Sequence, residues 1–162
     1  MDILDRLLAH DTWTTHQLLL ACQSLPEESL DQEFDIDQGS LRKTFLHIVE
    51  NMEVWTDLIC ERPVQKRTGS TVPELIERLS IISRDFANMA RRIAREQRYD
   101  DCFMDTLDHP PRLKTFGGAI GHLLTHSMHH RAQIMFLMER VGLKEHIEGD
   151  LLSWESTSFG WG

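Results

Sequence analysis

Residues 121–131 of the chain read GHLLTHSMHHR, and this short stretch holds four of the nine histidines. It lies within a longer segment, from about Thr115 to Gly142, whose apolar residues recur with helical spacing. Histidines four positions apart project from the same side of a helix, one turn apart. Two neutral imidazoles held in this way can bind one divalent transition metal. The stretch therefore predicts a helix that carries a candidate metal site.

A helical wheel gives the direction of each histidine relative to the core, which large apolar residues define: Phe116, Leu123, Ile134 and Val141. His130 falls within about 40° of that direction and His126 within about 80°, whereas His122 and His129 lie beyond about 100°. The wheel thus selects His126 and His130 as the inward pair. Two interpretations remain open: a pair of metal ligands, or half-buried histidines hydrogen-bonded to neighbouring helices. A metal would need at least one further ligand from elsewhere.

Three other segments have helical periodicity. The first runs from about Ile3 to Ser24, and the second begins after Ser40 as N-cap and runs to about Cys60. The third opens with the capping-box spacing of Thr71 and Glu74. Four such helices predict an all-α fold, a four-helix bundle, in which a link at about 61–70 crosses the bundle between the second and third helices. The link at about 99–114 is expected to be an irregular arm or a short hairpin.

Two polar residues on the first two helices are further candidates for the site. His47 lies about 120° from the centre of the apolar stripe of its helix, which favours a boundary position over a ligand. Asp11 and Thr15 interrupt the apolar stripe of the first helix, where a carboxylate must be paired, ligated or hydrated. Asp11 could orient a ligating histidine or act as a general base, or this end of the bundle could be open to water.

Composition limits the class of protein. With 162 residues, 41% of them hydrophobic, we expect a single domain over residues 1–162. A net charge of −9 argues against a nucleic-acid partner, because phosphate backbones require clustered cations. There is no apolar run of about 18 residues and no basic leader at Met1, so we expect neither a membrane span nor secretion. Three widely spaced cysteines without a CxxC motif suit a cytoplasmic location.

The segment after Gly142 is unusually apolar for a tail, with Trp154, Phe159 and Trp161. So apolar a segment is expected to pack on the body of the domain or on a second subunit.

Three stretches resemble the DinB/YfiT-like superfamily of four-helix-bundle metalloenzymes: DTWTTHQLL at 11–19, SLRKTFLHI at 40–48 and HLLTHSMHHRAQI at 122–134. The last is the most specific, because the superfamily's fourth-helix motif usually ends His-Arg-Gly-Gln. The chain departs from the superfamily pattern at Ala132, where glycine is usual, and at Asp11 and Thr15, where asparagines are usual. Those two changes would alter the charge of the pocket.

The resemblance implies that His47, His126 and His130 bind a divalent transition metal, such as zinc, nickel or iron. Characterised branches of the superfamily are transferases and isomerases that use mycothiol, bacillithiol or glutathione, while members named for induction by DNA damage have no known reaction. We therefore expect a metal-dependent enzyme of stress or detoxification, either a transferase or a hydrolase. Most concretely, it would be an S-transferase acting on a small-molecule thiol and an electrophile. The alternative is a non-catalytic, stress-induced binding or dimerisation module with a vestigial metal site. The resemblance also implies a homodimer.

Overall fold

The computed structural model describes residues 1–144, 147 and 149–160. The chain forms six helices and one hairpin in this part. In chain order these elements are α1 (Ile3–Cys22), α2 (Glu27–Asp31), α3 (Leu41–Ile59), α4 (Val72–Arg95), β1 (Cys102–Asp105), β2 (Arg112–Thr115), α5 (Phe116–Arg140) and α6 (Leu151–Phe159). The four long helices α1, α3, α4 and α5 are those predicted from the periodicity, and the all-α bundle is confirmed. The short α2 was not predicted.

Side-chain caps set where the long helices begin. Ser40 accepts a hydrogen bond from the Lys43 amide, and Thr115 accepts one from the Gly118 amide. At the start of α4, Thr71 and Glu74 form the predicted capping box. These caps satisfy amide groups that would otherwise have no partner inside the helix.

Contacts made by arginine side chains show how the helices of the bundle run relative to one another. Arg42 near the start of α3 donates to the Ser70 carbonyl just before α4, and Arg62 beyond the end of α3 pairs with Asp85 midway along α4. The two neighbouring helices are therefore parallel, and the link between them must return along the length of the bundle. The predicted crossover between the second and third bundle helices is thus confirmed.

The other two long helices run the opposite way. Arg91 near the end of α4 pairs with Asp5 near the start of α1, so α1 is antiparallel to α4. The Arg98 guanidinium, just beyond α4, lies 5.2 Å from the centroid of the Phe116 ring at the start of α5. Both α3 and α4 pack against α1 or α5, and α3 faces α5 directly. The bundle therefore consists of two parallel pairs, α1 with α5 and α3 with α4, and the two pairs run in opposite directions.

The link between α4 and α5 forms the short hairpin that was one of its two expected forms. Strands β1 and β2 are antiparallel, with Cys102 opposite Thr115. Phe103 is buried, stacks on Phe116 at a centroid distance of 5.6 Å and lies perpendicular to the Trp55 ring at a centroid distance of 6.2 Å. The hairpin is therefore anchored to α3 and to the start of α5.

The apolar tail packs on its own chain. Trp154 of α6 is buried and lies edge-on to His10 of α1, and the His10 Nε2 atom is 2.8 Å from the Gly149 carbonyl oxygen. Trp154 is therefore a contact within the chain, and His10 helps to hold the tail. Trp161 and His146 lie outside the described residues. The homodimer remains a prediction.

Within the described ranges, each helix is either too short or too polar to cross a lipid bilayer.

A buried ion pair between the parallel helices provides the first prediction. Arg78 of α4 donates from Nε and Nη2 to the two carboxylate oxygens of Glu53 on α3, at 3.0 and 2.7 Å, and both side chains are buried. Replacing Arg78 with alanine would leave a buried carboxylate without its partner, so the free energy of unfolding should fall by about 3–5 kcal/mol. Urea denaturation measures this change. Arg91→Ala, which removes the exposed pair with Asp5, is the matched control and should have a much smaller effect. Equal losses in the two variants would contradict the interpretation.

Candidate metal centre

Three imidazole rings meet between α3 and α5. The Nε2 atom of His126 lies 3.1 Å from Nε2 of His47 and 3.1 Å from Nε2 of His130. One ligand atom from each ring falls within 4.8 Å of the other two. The structure thus brings together the inward pair selected by the helical wheel and the third histidine implied by the resemblance.

The position of His47 shows why its helical wheel did not favour it. The ring centroid of His47 is 4.6 Å from that of His130 and 4.9 Å from that of His126. His47 is half-buried, so its side chain does sit at a boundary, as the wheel indicated. The wheel measures direction relative to the apolar stripe, however, and His47 points instead at one particular neighbour, α5. A boundary position and a place in the cluster are therefore compatible.

Hydrogen bonds orient the His130 ring. Its Nδ1 atom lies 2.7 Å from Oε1 of Gln133, and the Gln133 amide nitrogen lies 3.4 Å from the Asp37 carboxylate. Because Oε1 of Gln133 can only accept, Nδ1 of His130 carries the proton and Nε2 presents a lone pair to the cluster. This is the arrangement that an outer hydrogen bond imposes on a metal-ligating histidine.

Sequence reasoning missed both partners of His130. Gln133 follows His130 by three positions on the same helix, and this spacing could have indicated it. Asp37 lies in the loop between α2 and α3, and its carboxylate is 3.5 Å from Nδ1 of His130. Nothing in the local sequence relates that loop to α5, so Asp37 could be found only in the folded chain.

Two imidazoles of the cluster, those of His126 and His47, favour the neutral state. Burial, followed by the nearby His130 and His47 rings, lowers the pKa of His126 to about 4. Burial also lowers the pKa of His47. At neutral pH both rings therefore keep a lone pair for coordination, which protonation would remove.

The donor set fits a divalent transition metal. Two nitrogens bound to one metal at about 2.0–2.1 Å lie about 2.8–3.4 Å apart for octahedral to tetrahedral angles. The two 3.1 Å separations at His126 fall within that range. If Nε2 of His126 carries no proton, its lone pair faces the lone pair of His130 Nε2 with no hydrogen atom between them. A cation bound between the two nitrogens would make this contact favourable. The group of His47, His126 and His130 could therefore hold a metal ion.

Asp11 is buried, which excludes a bundle end open to water at this position. Its carboxylate forms a salt bridge with Arg131 on α5, and the Ser127 side chain also bonds to it. Burial raises the pKa of Asp11, and the Arg131 charge is the largest opposing influence. The structure thus gives Asp11 an ion-pair partner that immediately follows His130. Its role as a general base remains a prediction.

The other histidines of the opening stretch lie at the rim, as the wheel predicted. His122 is exposed, and its ring centroid is 5.2 Å from that of His126 and 5.5 Å from that of Trp55. His129 is also exposed and lies 3.2 Å from the amide nitrogen of Gln133. Together with Asp37 and His130 it forms a second group close enough to bind a metal. In this second group, however, Nδ1 of His130 would be the ligand atom, and it carries a proton that it donates to Gln133. The group of His47, His126 and His130 therefore offers the better set of lone pairs to a metal.

The depressed pKa of His126 predicts how the metal-free protein responds to acid. An imidazole with a pKa of about 4 when folded and near 6.5 when unfolded stabilises the fold above pH 6.5, and this contribution is lost as the pH falls toward 4. We expect the free energy of unfolding of the metal-free protein to decrease over this interval. His126→Gln should flatten the decrease, whereas replacing the exposed His109 with glutamine should not. Urea denaturation at a series of pH values measures the slope, and identical slopes for both variants would contradict the assignment.

Comparison with known proteins places this geometry in a family. A model of the DinB family matches residues 1–154. A comparison with curated proteins finds no match. The family match covers the four bundle helices and all three histidines of the cluster. The chain therefore belongs to the DinB family.

Proposed function

We propose that the chain is a metal-dependent enzyme in which His47, His126 and His130 bind one divalent transition metal. The observation that carries the proposal is the approach of three Nε2 atoms from two helices, with two separations of 3.1 Å. Neutral imidazoles and the outer hydrogen bond to His130 support it. Imidazole ligands suit zinc, nickel and iron alike, so the donor set does not select among them.

Three protein ligands leave at least one coordination position for another molecule, as in catalytic rather than structural metal sites. When bound, the metal would supply a Lewis acid that lowers the pKa of a coordinated water or thiol. The residues of the chain would orient the ligands: Gln133 holds His130, and α3 holds His47 against α5. His122 lies beside His126 at the exposed edge of the cluster, where a substrate could enter.

The reaction we propose is S-transfer from a low-molecular-weight thiol to a carbon electrophile. In this reaction a sulfur–carbon bond forms, the bond from carbon to its leaving group breaks, and the thiol proton passes to solvent. Membership of the DinB family and a three-histidine group with an accessible edge support this choice.

Asp11 enters the proposal as a positioning residue. Its carboxylate pairs with Arg131, and Thr15 of the same helix lies 3.4 Å from the same guanidinium nitrogen. This buried contact fixes α1 against α5 at the residue next to His130. Asp11 would thus help to hold a ligand in place without touching the substrate.

The metal assignment predicts about one transition-metal ion per chain in protein purified from its native host. His126→Ala and His130→Ala should each reduce this content at least tenfold, because two imidazoles hold a metal poorly compared with three. His129→Ala removes an exposed histidine from the same helix and is the matched control, which should keep its metal. Elemental analysis measures the content, and circular dichroism shows that the variants remain helical. Undiminished metal in both ligand variants would contradict the assignment.

The enzyme proposal predicts turnover with a thiol and an electrophile. Metal-loaded protein should accelerate conjugation of mycothiol, bacillithiol or glutathione to a reactive electrophile, and removing the metal with a chelator should abolish the acceleration. Product formation followed by mass spectrometry provides the measurement. Full metal occupancy without turnover for any of these thiols would favour the alternative, a non-catalytic binding or dimerisation module.

A further inference from the structure

A cavity of about 330 Å³ lies beside the histidine cluster, between α3 and the start of α5. We call it the Trp55 pocket, and its lining consists of Trp55, Lys114, Thr115, Gly118, Ala119 and His122. Its volume is at the lower end of the range for pockets that bind small molecules. The pocket has room for a single ring and its substituents.

The Trp55 pocket adjoins the cluster through His122, which belongs to its lining. Gly118, His122, His126 and His130 follow one another at intervals of four residues, so each lies about one turn along α5 and about 40° around it from the one before. The His122 ring lies between the two regions, with its centroid 5.5 Å from Trp55 and 5.2 Å from His126. A molecule in the pocket would therefore lie one helical turn from the nearest ligand.

The lining of the Trp55 pocket is not arranged to bind an anion. The Lys114 ammonium already lies 3.2 Å from the Asp108 carboxylate. The first amides of α5 are also engaged: Phe116 donates to the Asp101 carbonyl, Gly117 to the Tyr99 carbonyl and Gly118 to Thr115. The carboxylate of Asp108 thus neutralises the Lys114 ammonium, and the amide groups that the start of a helix can offer to an anion already have acceptors. An uncharged ligand is therefore favoured.

The lining favours a flat ligand. Trp55 presents an aromatic surface, while Gly118 and Ala119 provide a low wall without bulky side chains. Phe103 meets Trp55 edge-on, with an angle of 89° between the ring planes, and so restrains the indole. A restrained indole stacks well with another planar ring.

A larger cavity, of about 490 Å³, lies between α1 and α4, with Trp13 and His16 in its lining. No member of the histidine cluster lines it. A ligand there would not approach the proposed metal, so the smaller Trp55 pocket is the better place for a substrate.

We infer that the Trp55 pocket binds an uncharged, planar aromatic group of the electrophilic substrate, stacked on Trp55 and directed past His122 toward His126. That the bound group belongs to the substrate rests on the proposed function. That the pocket binds an aromatic group depends only on the pocket itself.

Binding is tested with 1,3-dinitrobenzene, a flat, uncharged aromatic compound without a leaving group that the cysteines could displace. Isothermal titration of the full chain should detect binding, and Trp55→Leu should weaken it about tenfold, because an aromatic stacking partner is lost. Trp55→Phe keeps a ring and should retain most of the affinity, which also guards against misfolding of the leucine variant. Trp13→Leu alters the cavity between α1 and α4 and is the matched control. Loss of binding in Trp13→Leu but not in Trp55→Leu, or no binding at all, would overturn the inference.

Proximity to the metal is tested by nuclear magnetic resonance. Protein loaded with paramagnetic Co²⁺ should broaden the proton signals of bound 1,3-dinitrobenzene, whereas protein loaded with Zn²⁺ should not. Broadening that disappears in Trp55→Leu supports the inference, and binding without broadening in a fully loaded sample overturns it. The metal content of each sample distinguishes the two proposals. A chain that takes up no metal but binds the probe through Trp55 would contradict the proposed function and still support the aromatic pocket.

Discussion

The structure depends on the packing of α3 against α5, which forces three imidazoles into contact inside a helical bundle. With all three rings neutral, only one of the two 3.1 Å contacts between ring nitrogens can be a hydrogen bond, because Nε2 of His130 carries no proton and Nε2 of His126 has either one proton or one lone pair. Burial lowers the pKa of His126 and of His47, so at neutral pH an additional proton does not readily supply the charge that the other contact needs. A metal ion is the simplest group that would satisfy all three rings together.

Buried ion pairs with the other helices of the bundle fix the positions of α3 and α5. Crossover of the chain between α3 and α4 makes these helices parallel, and the buried pair of Glu53 and Arg78 fixes their relative position. The buried pair of Asp11 and Arg131 ties α1 to α5 beside His130. In an acidic chain with a net charge of −9, arginines are thus used internally, between helices, to compensate buried carboxylates. Such pairs specify which helices meet, because a wrong register would leave a buried charge without a partner.

Much of this arrangement could be predicted from the sequence, and the rest could not for a physical reason. Helical periodicity and the caps at Ser40 and Thr71 located the long helices, and the wheel of the fourth helix selected His126 and His130. A helical wheel gives the direction of a side chain relative to the apolar stripe of its own helix. It does not show which neighbouring helix lies in that direction. His47 therefore needed the family resemblance. The pairing of Asp11 with Arg131 and the approach of Asp37 to His130 became visible only in the fold, because both join segments that are distant in the chain.

In the proposed centre, three histidines from two helices bind one metal ion. X-ray absorption spectroscopy of the metal-loaded protein tests it most directly, because the spectrum reports the type, number and distance of the ligands. We predict three imidazole nitrogens at about 2.0–2.1 Å from the metal, with solvent oxygen atoms in the remaining coordination positions. A first shell dominated by carboxylate oxygens or cysteine sulfur, or one with fewer than two imidazoles, would contradict it.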